Sequence, residues 1–460
     1  MTRARNLANR ASDIVSVKDS PFGAVGDGIT DDTAAIQAAI NENTRLYFPA
    51  GTYKISSGLT VNKPMQIFGA GVKTLIRNTN TSGQHTLLID GTGVANGMTG
   101  VIVSDIALSS EPGGGDALRL VNIYRSVFSN VLIPSCAVSA VRLLGSGHNT
   151  LIAITITTNF GYSGVFASAQ FGISLQDNPT TLLSSGHNTF IDPRVEGMTS
   201  AVAYRLLGSS SHNTFINGDG VVCAQALNIA TDATLNSFYG TVFEDNSTID
   251  IQCSGQFNRF VNVQAFSIAN GGAAGKIQFL SGASNNVIDG GRFRVIQVDS
   301  GVNGTVIGGG ASTFTGIVDN GTGTQIGEIW EITNQKYLQQ AITMPATSGP
   351  DGGMLTVRDS ADKRRRISFG FDRTILTAGA GYVYAIHDGI ANVPLMLNPG
   401  AGGKVAIGQT SADQGGTNNL AMAPGSAPSV NHTGITLFTI DGLTLKFMDK
   451  NGVIRSITFT

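Results

Sequence analysis

The chain has 460 residues, room for one large domain and one or two smaller ones. Charged residues make up 13% of it, the formal net charge is −2, and glycine contributes 59 residues. A nearly neutral, glycine-rich chain excludes a nucleic-acid binder with an overall basic face, although a local basic groove stays open. No apolar run approaches the roughly 18 residues of a membrane span, so membrane insertion is not expected either.

Residues 1–18 are polar, and MTRARNLANRASDIV lacks the apolar core of a signal peptide; this stretch is expected to be an attachment or flexible arm. In FGAVGDGITDDTAAIQAAI (22–40) the second half predicts a short helix, with Thr30 or Asp31 as cap, Asp31 and Asp32 at its positive end, and Ile36, Ala39 and Ile40 on one apolar face. LYFPAGTYKIS (46–56), LTVNKPMQIFGAG (59–71) and TLIRN (74–78) then alternate apolar segments with Pro/Gly turns, a pattern of short strands.

The signature Phe-Gly-Ala-Val-Gly-Asp-Gly-x-Thr-Asp-Asp-Thr, with Phe-Pro-x-Gly-x-Tyr downstream, spans Phe22 to Gly71. It resembles the start of the pectate-lyase-like β-helix domain, in the version common in bacteriophage tailspikes and capsule depolymerases. The resemblance implies a right-handed β-helix, usually a homotrimer, and often polysaccharide cleavage. It further implies a place on the virion tail, with the N-terminal arm bound to a tail or baseplate protein and a bacterial surface polysaccharide as partner. Substrate and catalytic residues do not follow from it, because sites are grafted onto folds.

Next come RLLGSGHNTLI (142–152), LLSSGHNTFI (182–191) and RLLGSSSHNTFI (205–216), with eroded copies after them. Following the Asn and the apolar residues two and three positions later gives Asn149, Asn188, Asn213, Asn236, Asn258 and Asn285, at steps of 39, 25, 23, 22 and 27 residues; weaker echoes fall at Asn303 and Gly323. A unit of this length with two or three short β segments cannot bury its apolar face alone and must stack. Leucine-rich repeats and propeller blades fit the pattern and period poorly. A parallel β-helix with coils about 4.8 Å apart remains, with stacked Asn at a turn and apolar columns beside it, either of which can point inward.

The period breaks after GTGTQIG (321–327). Residues 328–350 read as a connector, and 351–460 as a β-rich domain for trimerisation or glycan binding, ending in strands joined through Asp-Lys-Asn-Gly. The expected fold is therefore all-β: an arm (1–18), a right-handed parallel β-helix with a short capping helix (19–327), the connector, and the C-terminal trimerisation or glycan-binding domain, assembled as a homotrimer.

Aligning coils on their Asn places Glu196 (188+8) and Glu244 (236+8) in one column two coils apart, with Asp219 (213+6) on the coil between them and Asp245 beside Glu244. Two coils are about 9.6 Å, near the upper limit of the carboxylate separation in inverting glycosidases. One carboxylic acid would protonate the leaving oxygen while a carboxylate activates water. The same residues also fit a recurrent solvent-facing turn. Arg194, Tyr239, Arg292 and Arg294 are candidates for substrate binding or for a lyase base and cation. Phe160, Tyr162, Phe166 and Phe171, in the 39-residue step, are candidates for stacking on sugar rings or for packing over the coil.

His148, His187 and His212 recur just before the Asn. Stacked imidazoles can ligate metal, but repeat ancestry explains them, and neither metal nor cofactor is expected. Cys136, Cys223 and Cys253 lack metal spacing and read as buried thiols. The leading expectation is a tailspike or tail-fibre component that binds and cleaves a surface polysaccharide, by hydrolysis rather than elimination. A non-catalytic receptor-binding or structural fibre and a secreted lyase are the alternatives.

Overall fold

The computed structural model describes residues 14–157, 169–266, 275–309 and 311–326, together with six strands between 355 and 457. The chain divides into two units, Met1–Pro345 and Ala346–Thr460. In the second unit, Leu355–Arg358, Arg365–Asp372 and Ala380–His387 form one antiparallel sheet, and Thr436–Thr439, Leu445–Met448 and Ile454–Ile457 form another. The Asp-Lys-Asn-Gly segment lies between the last two of these strands. Most of the expected arm and the whole expected connector lie outside the described residues.

The first unit is a right-handed parallel β-helix. Each coil contributes short strands to three parallel ladders in turn. The first ladder includes Thr150–Ile152, Thr189–Ile191, Thr214–Ile216, Ser237–Tyr239 and Arg259–Val261. The second includes Arg194–Glu196, Asp219–Val221, Val242–Glu244 and Gln264–Phe266. The third includes Leu118–Val121, Ser139–Leu144, Phe171–Gln176, Val202–Leu206, Gln225–Ile229 and Ile251–Cys253. Side chains alternate across each strand, so one face of every ladder fills the bore and the other faces out.

Of the two apolar columns after the Asn, the first points inward. Phe190, Phe215, Phe238 and Phe260 are buried and stack with centroids 4.5, 4.9 and 5.4 Å apart. Each such ring contributes roughly 1.5–3 kcal/mol by burial. The second column, including Ile152, Ile191, Ile216 and Tyr239, lies on the outer face.

The Asn column is continuous and buried. In each of Asn149, Asn188, Asn213, Asn236 and Asn258 the side-chain amide donates to the Oδ1 of the next member, at 3.0 to 3.2 Å. Its sixth member is Asn286, not Asn285. The register pairs Arg259 with Val287, and both the backbone and side-chain amides of Asn258 donate to Asn286 Oδ1. Asn285 instead takes the left-handed position before the column, φ 53°, in line with His148, His187, His212, Leu235 and Phe257. Two adjacent asparagines made the sequence alignment ambiguous by one residue. Of the two echoes, Gly323 falls at this left-handed turn and Asn303 in the bridge just before it.

The helix runs from Thr33 to Glu42 and buries Ile36, Ala39 and Ile40 as expected, but its cap differs. Asp32 occupies the N-cap position without a side-chain cap bond; its carboxylate accepts from the backbone amides of Val25 and Gly26 at 2.6 and 2.9 Å. Asp32 thereby fastens the glycine-rich loop, and Asp31 meets the helix start by accepting from the Thr33 amide at 3.1 Å. Gln37 joins the helix to the coil through two bonds with Thr60.

Candidate functional site

The second ladder brings the expected carboxylates onto one outer face. Glu196 pairs with Val221 and Val221 with Glu244, so Glu196 and Glu244 share a column two coils apart. Asp219 pairs with Arg194 and Val242 in the parallel column two residues upstream. From strand spacing and rise, Asp219 is about 8 Å diagonally from both glutamates at the backbone. Asp245 follows Glu244 in the left-handed conformation, φ 53°, so it belongs to the corner rather than to the strand face. Beyond Glu244 the glutamate column continues to Phe266, which sequence reasoning missed because its coil lacks a carboxylate. Arg292 lies over that ring, 5.5 Å from its centroid.

Two features set the electrostatics of this strip. Arg194 Nη2 lies 2.9 Å from Glu196 Oε2, a partly exposed ion pair along one strand. Burial pushes the Asp219 carboxyl above the usual range; Arg194 opposes the rise, and Asp192 and Glu196 add to it. The backbone beneath is braced by buried Tyr204, whose hydroxyl reaches the carbonyls of Pro193 at 2.8 Å and Asp219 at 2.6 Å. A carboxyl inclined to hold its proton beside carboxylates on neighbouring coils has the composition of an acid/base pair.

Tyr239 is on the outer face of the first ladder, across the Gly240 corner from Val242–Glu244. Arg292 shares the Asp219 column further along, and Arg294 sits where its strand passes from the second ladder to the third. Phe160, Tyr162 and Phe166 lie outside the described residues. Phe171 is on the third ladder, under the guanidinium of Arg205, 4.3 Å from the ring centroid.

That third ladder carries a second polar constellation. Register places Arg119, Arg142, Ser174, Arg205, Asn228, Gln252, Gln278 and Gln297 in one outward column. At its head, Asp116 is fully buried, with Arg142 Nε 3.4 Å from Oδ1 and Arg119 Nη1 and His85 Nδ1 3.6 and 3.4 Å from Oδ2. Oδ1 also accepts from the Ser139 amide, whereas Oδ2 has no hydrogen-bond partner. Burial raises the Asp116 pKa, opposed by the two arginines, and lowers that of His85 to about 4, aided by the same cations. The visible signal was the Arg that opens both RLLGS strings, Arg142 and Arg205.

His148, His187 and His212 stack face to face, with centroids 4.7 and 4.6 Å apart. Among the described residues no group of three or more His, Cys, Asp or Glu is placed to hold a metal ion, and no helix is long and apolar enough to cross a membrane. Cys136, Cys223 and Cys253 are buried free thiols, with burial pushing Cys223 and Cys253 up to about 12.

Residues 14–110 match the family model described as rhamnogalacturonase A/epimerase, pectate lyase-like. The chain is 45% identical over 75 residues to mannuronan C5-epimerase AlgE2 of Azotobacter vinelandii, covering 14% of this chain and 7% of the epimerase. It is 31% identical over 148 residues to the pre-neck appendage protein of Bacillus phage phi29, covering 31% of this chain and 16% of that protein. The chain thus spans less than a fifth of the length of either relative. Among solved structures, ORF18 of Geobacillus virus E2 matches 99% of this chain and 88% of its own, with TM-score 0.51 and 18% identity, a likeness of fold.

Proposed function

With a pectate-lyase-like β-helix as the premise, we propose that the protein is a tailspike or related appendage of a phage virion that binds a bacterial surface polysaccharide and hydrolyses it at the second-ladder strip. The observation that carries the reading is the register that sets Glu196 and Glu244 in one outward column with Asp219 between their coils. Asp219 is the proton donor to the leaving glycosidic oxygen, because its environment favours the protonated form. Glu244 is the base that activates water; its backbone lies about 8 Å from that of Asp219, compatible with the carboxyl separation of an inverting mechanism. Glu196, paired with Arg194, orients that cation toward the sugar, and Phe266 offers a ring face one coil further on. A homotrimer with an N-terminal attachment to a tail or baseplate protein accompanies this reading; the likeness to a phage appendage protein supports the place on the virion.

The test is incubation with capsular and lipopolysaccharide preparations, scoring new reducing ends together with ultraviolet absorbance of unsaturated uronates. Reducing ends without absorbance support hydrolysis, and both together point to elimination. Neither, on a panel that includes the host's own polysaccharide, leaves a receptor-binding fibre. Glu244→Gln and Glu196→Gln are expected to abolish cleavage without loss of folded protein; full activity in both removes the strip as the site.

A further inference from the structure

The head of the third ladder contains a conflict between donors. His85 Nδ1 accepts the backbone amide of Asp116 at 2.9 Å, so the proton of the neutral ring is on Nε2. Nε2 in turn faces Arg119 Nη1 at 2.7 Å, and a guanidinium has no lone pair to offer. Both ring nitrogens of His85 therefore face N–H donors, and a neutral imidazole can accept from only one of them. Arg119 is not drawn away by strong internal partners either: it stands 3.6 Å from Asp116 Oδ2, an ion-pair distance longer than a hydrogen bond, and that oxygen is itself without a hydrogen-bond partner. Arg142 is held more firmly: its Nη2 and Nε donate to Ser139 Oγ at 2.9 and 3.3 Å, and Nε stands 3.4 Å from Asp116 Oδ1.

The charges facing this corner can be counted. Arg119 and Arg142 face buried Asp116, and Arg119 also faces Asp90 on the neighbouring strand. Arg205 lies further along the column, near enough to Arg142 to feel its charge, and rests on the Phe171 ring. Three cations against two carboxylates leave the face positive in a chain whose net charge is −2. From Arg205 onward, Asn228, Gln252 and Gln278 continue the column with amides alone. Acceptors are in shortage at the head, and uncharged hydrogen-bonding groups follow.

We propose that this corner is a binding subsite for the acid group of an anionic saccharide, whose oxygen accepts from His85 Nε2–H and Arg119 together while Arg142 and Arg205 face the remaining charge. The rest of the chain of sugars runs along the amide column. Asp116 is a positioning residue: it holds the two guanidiniums from below. This subsite deepens the polysaccharide reading and rests on it, but lies on a different ladder from the proposed cleavage strip.

The test measures binding of full-length protein to polygalacturonate, polysialate and dextran sulfate, with neutral dextran and carboxyl-reduced polygalacturonate as controls, at fixed ionic strength. The carboxylate and sulfate polymers separate the two sources of the acid group. Wild-type protein is expected to retain at least one acidic polymer and to lose it on carboxyl reduction or in the neutral control. Arg119→Gln is expected to weaken that binding at least about tenfold, the loss of a charged hydrogen bond. Glu244→Gln is expected to leave it intact. Thermal unfolding checks that Arg119→Gln is folded; if it is not, Arg205→Gln, whose guanidinium lies on Phe171 rather than on Asp116, gives the readout and is expected to bind several-fold more weakly. Acidic-polymer binding that survives these changes overturns the subsite and leaves the polysaccharide reading standing. Failure of the wild-type protein to bind any acidic polymer overturns the subsite, and binding to no polysaccharide at all, host material included, overturns both.

Discussion

Asn213→Ala tests the stacking argument at the middle of the buried column. The Asn213 amide donates to Ser185 O and to Asn236 Oδ1, both at 3.0 Å, and its Oδ1 accepts from the backbone and side-chain amides of Asn188, also at 3.0 Å. Two partners keep a bond after the change: Asn188 Nδ2 still donates to Ser146 O at 2.9 Å, and Asn236 Oδ1 still accepts from the Asn213 backbone amide at 3.0 Å. The Asn188 backbone N–H and the Ser185 carbonyl lose the bonds that the side chain supplied. At about 1–3 kcal/mol for each buried group left unsatisfied, the expected destabilisation is about 4 kcal/mol. Urea unfolding measures it, as a shift in midpoint at constant m, or as a ratio of unfolding rates if refolding fails. A loss below about 1 kcal/mol would refute the reasoning, because it would mean the column's bonds are readily replaced by water.

Leu235 is 43% exposed and left-handed at φ 57°, where a residue other than Gly or Asn costs about 1–2 kcal/mol; Leu235→Asn is expected to stabilise the coil by about 1 kcal/mol in the same unfolding assay, and destabilisation would refute the strain argument. Asp250 is fully buried and its pKa is raised to about 7, chiefly by burial. The folded state then holds this proton more tightly than the unfolded chain, so the associated stability is full below about pH 4 and is lost as pH rises through about 7. Its size is on the order of 4 kcal/mol, and Asp250→Asn is expected to flatten stability across that window; an unchanged slope would assign it to another group. For the proposed hydrolysis, the rate is expected to fall as pH rises through the raised pKa of Asp219, and Asp219→Asn to remove that limb together with most activity; a persistent limb in the variant would place the acid elsewhere.

The solenoid was legible because its physics repeats: each coil places an Asn at the same buried turn, so its spacing carries the register. Asn258 to Asn286 is where that reading slipped: Asn285 has Val287 and Ile288 two and three positions later, whereas Asn286 has Ile288 and Asp289, so the apolar rule selected the neighbouring asparagine, and the pairing of Phe260 with Ile288 identifies the right one. Glu196 and Glu244 could be superposed from sequence because both lie a short strand and one tight corner past the Asn, where coil length does not vary. His85, Asp116 and the arginines could not. They lie on the third ladder, after loops of unequal length, so distance from the Asn column no longer reports position.

The same logic says why the proposed sites fall where the repeat is broken. A residue repeated on every coil stacks on its own kind, as Phe190 does on Phe215 and His187 on His212, and its interactions are consumed within the column. A departure from the column leaves unlike groups on neighbouring coils, where they do not stack on their own kind and are close enough to share a bound molecule. Val221 between Glu196 and Glu244 is such a departure, setting two glutamates two coils apart in one column. Asp116 beneath Arg119 and Arg142 is another, fixing two cations at ion-pair distance without saturating them. In a parallel solenoid the scaffold is written in what the coils share, and a ligand is held by what neighbouring coils do not.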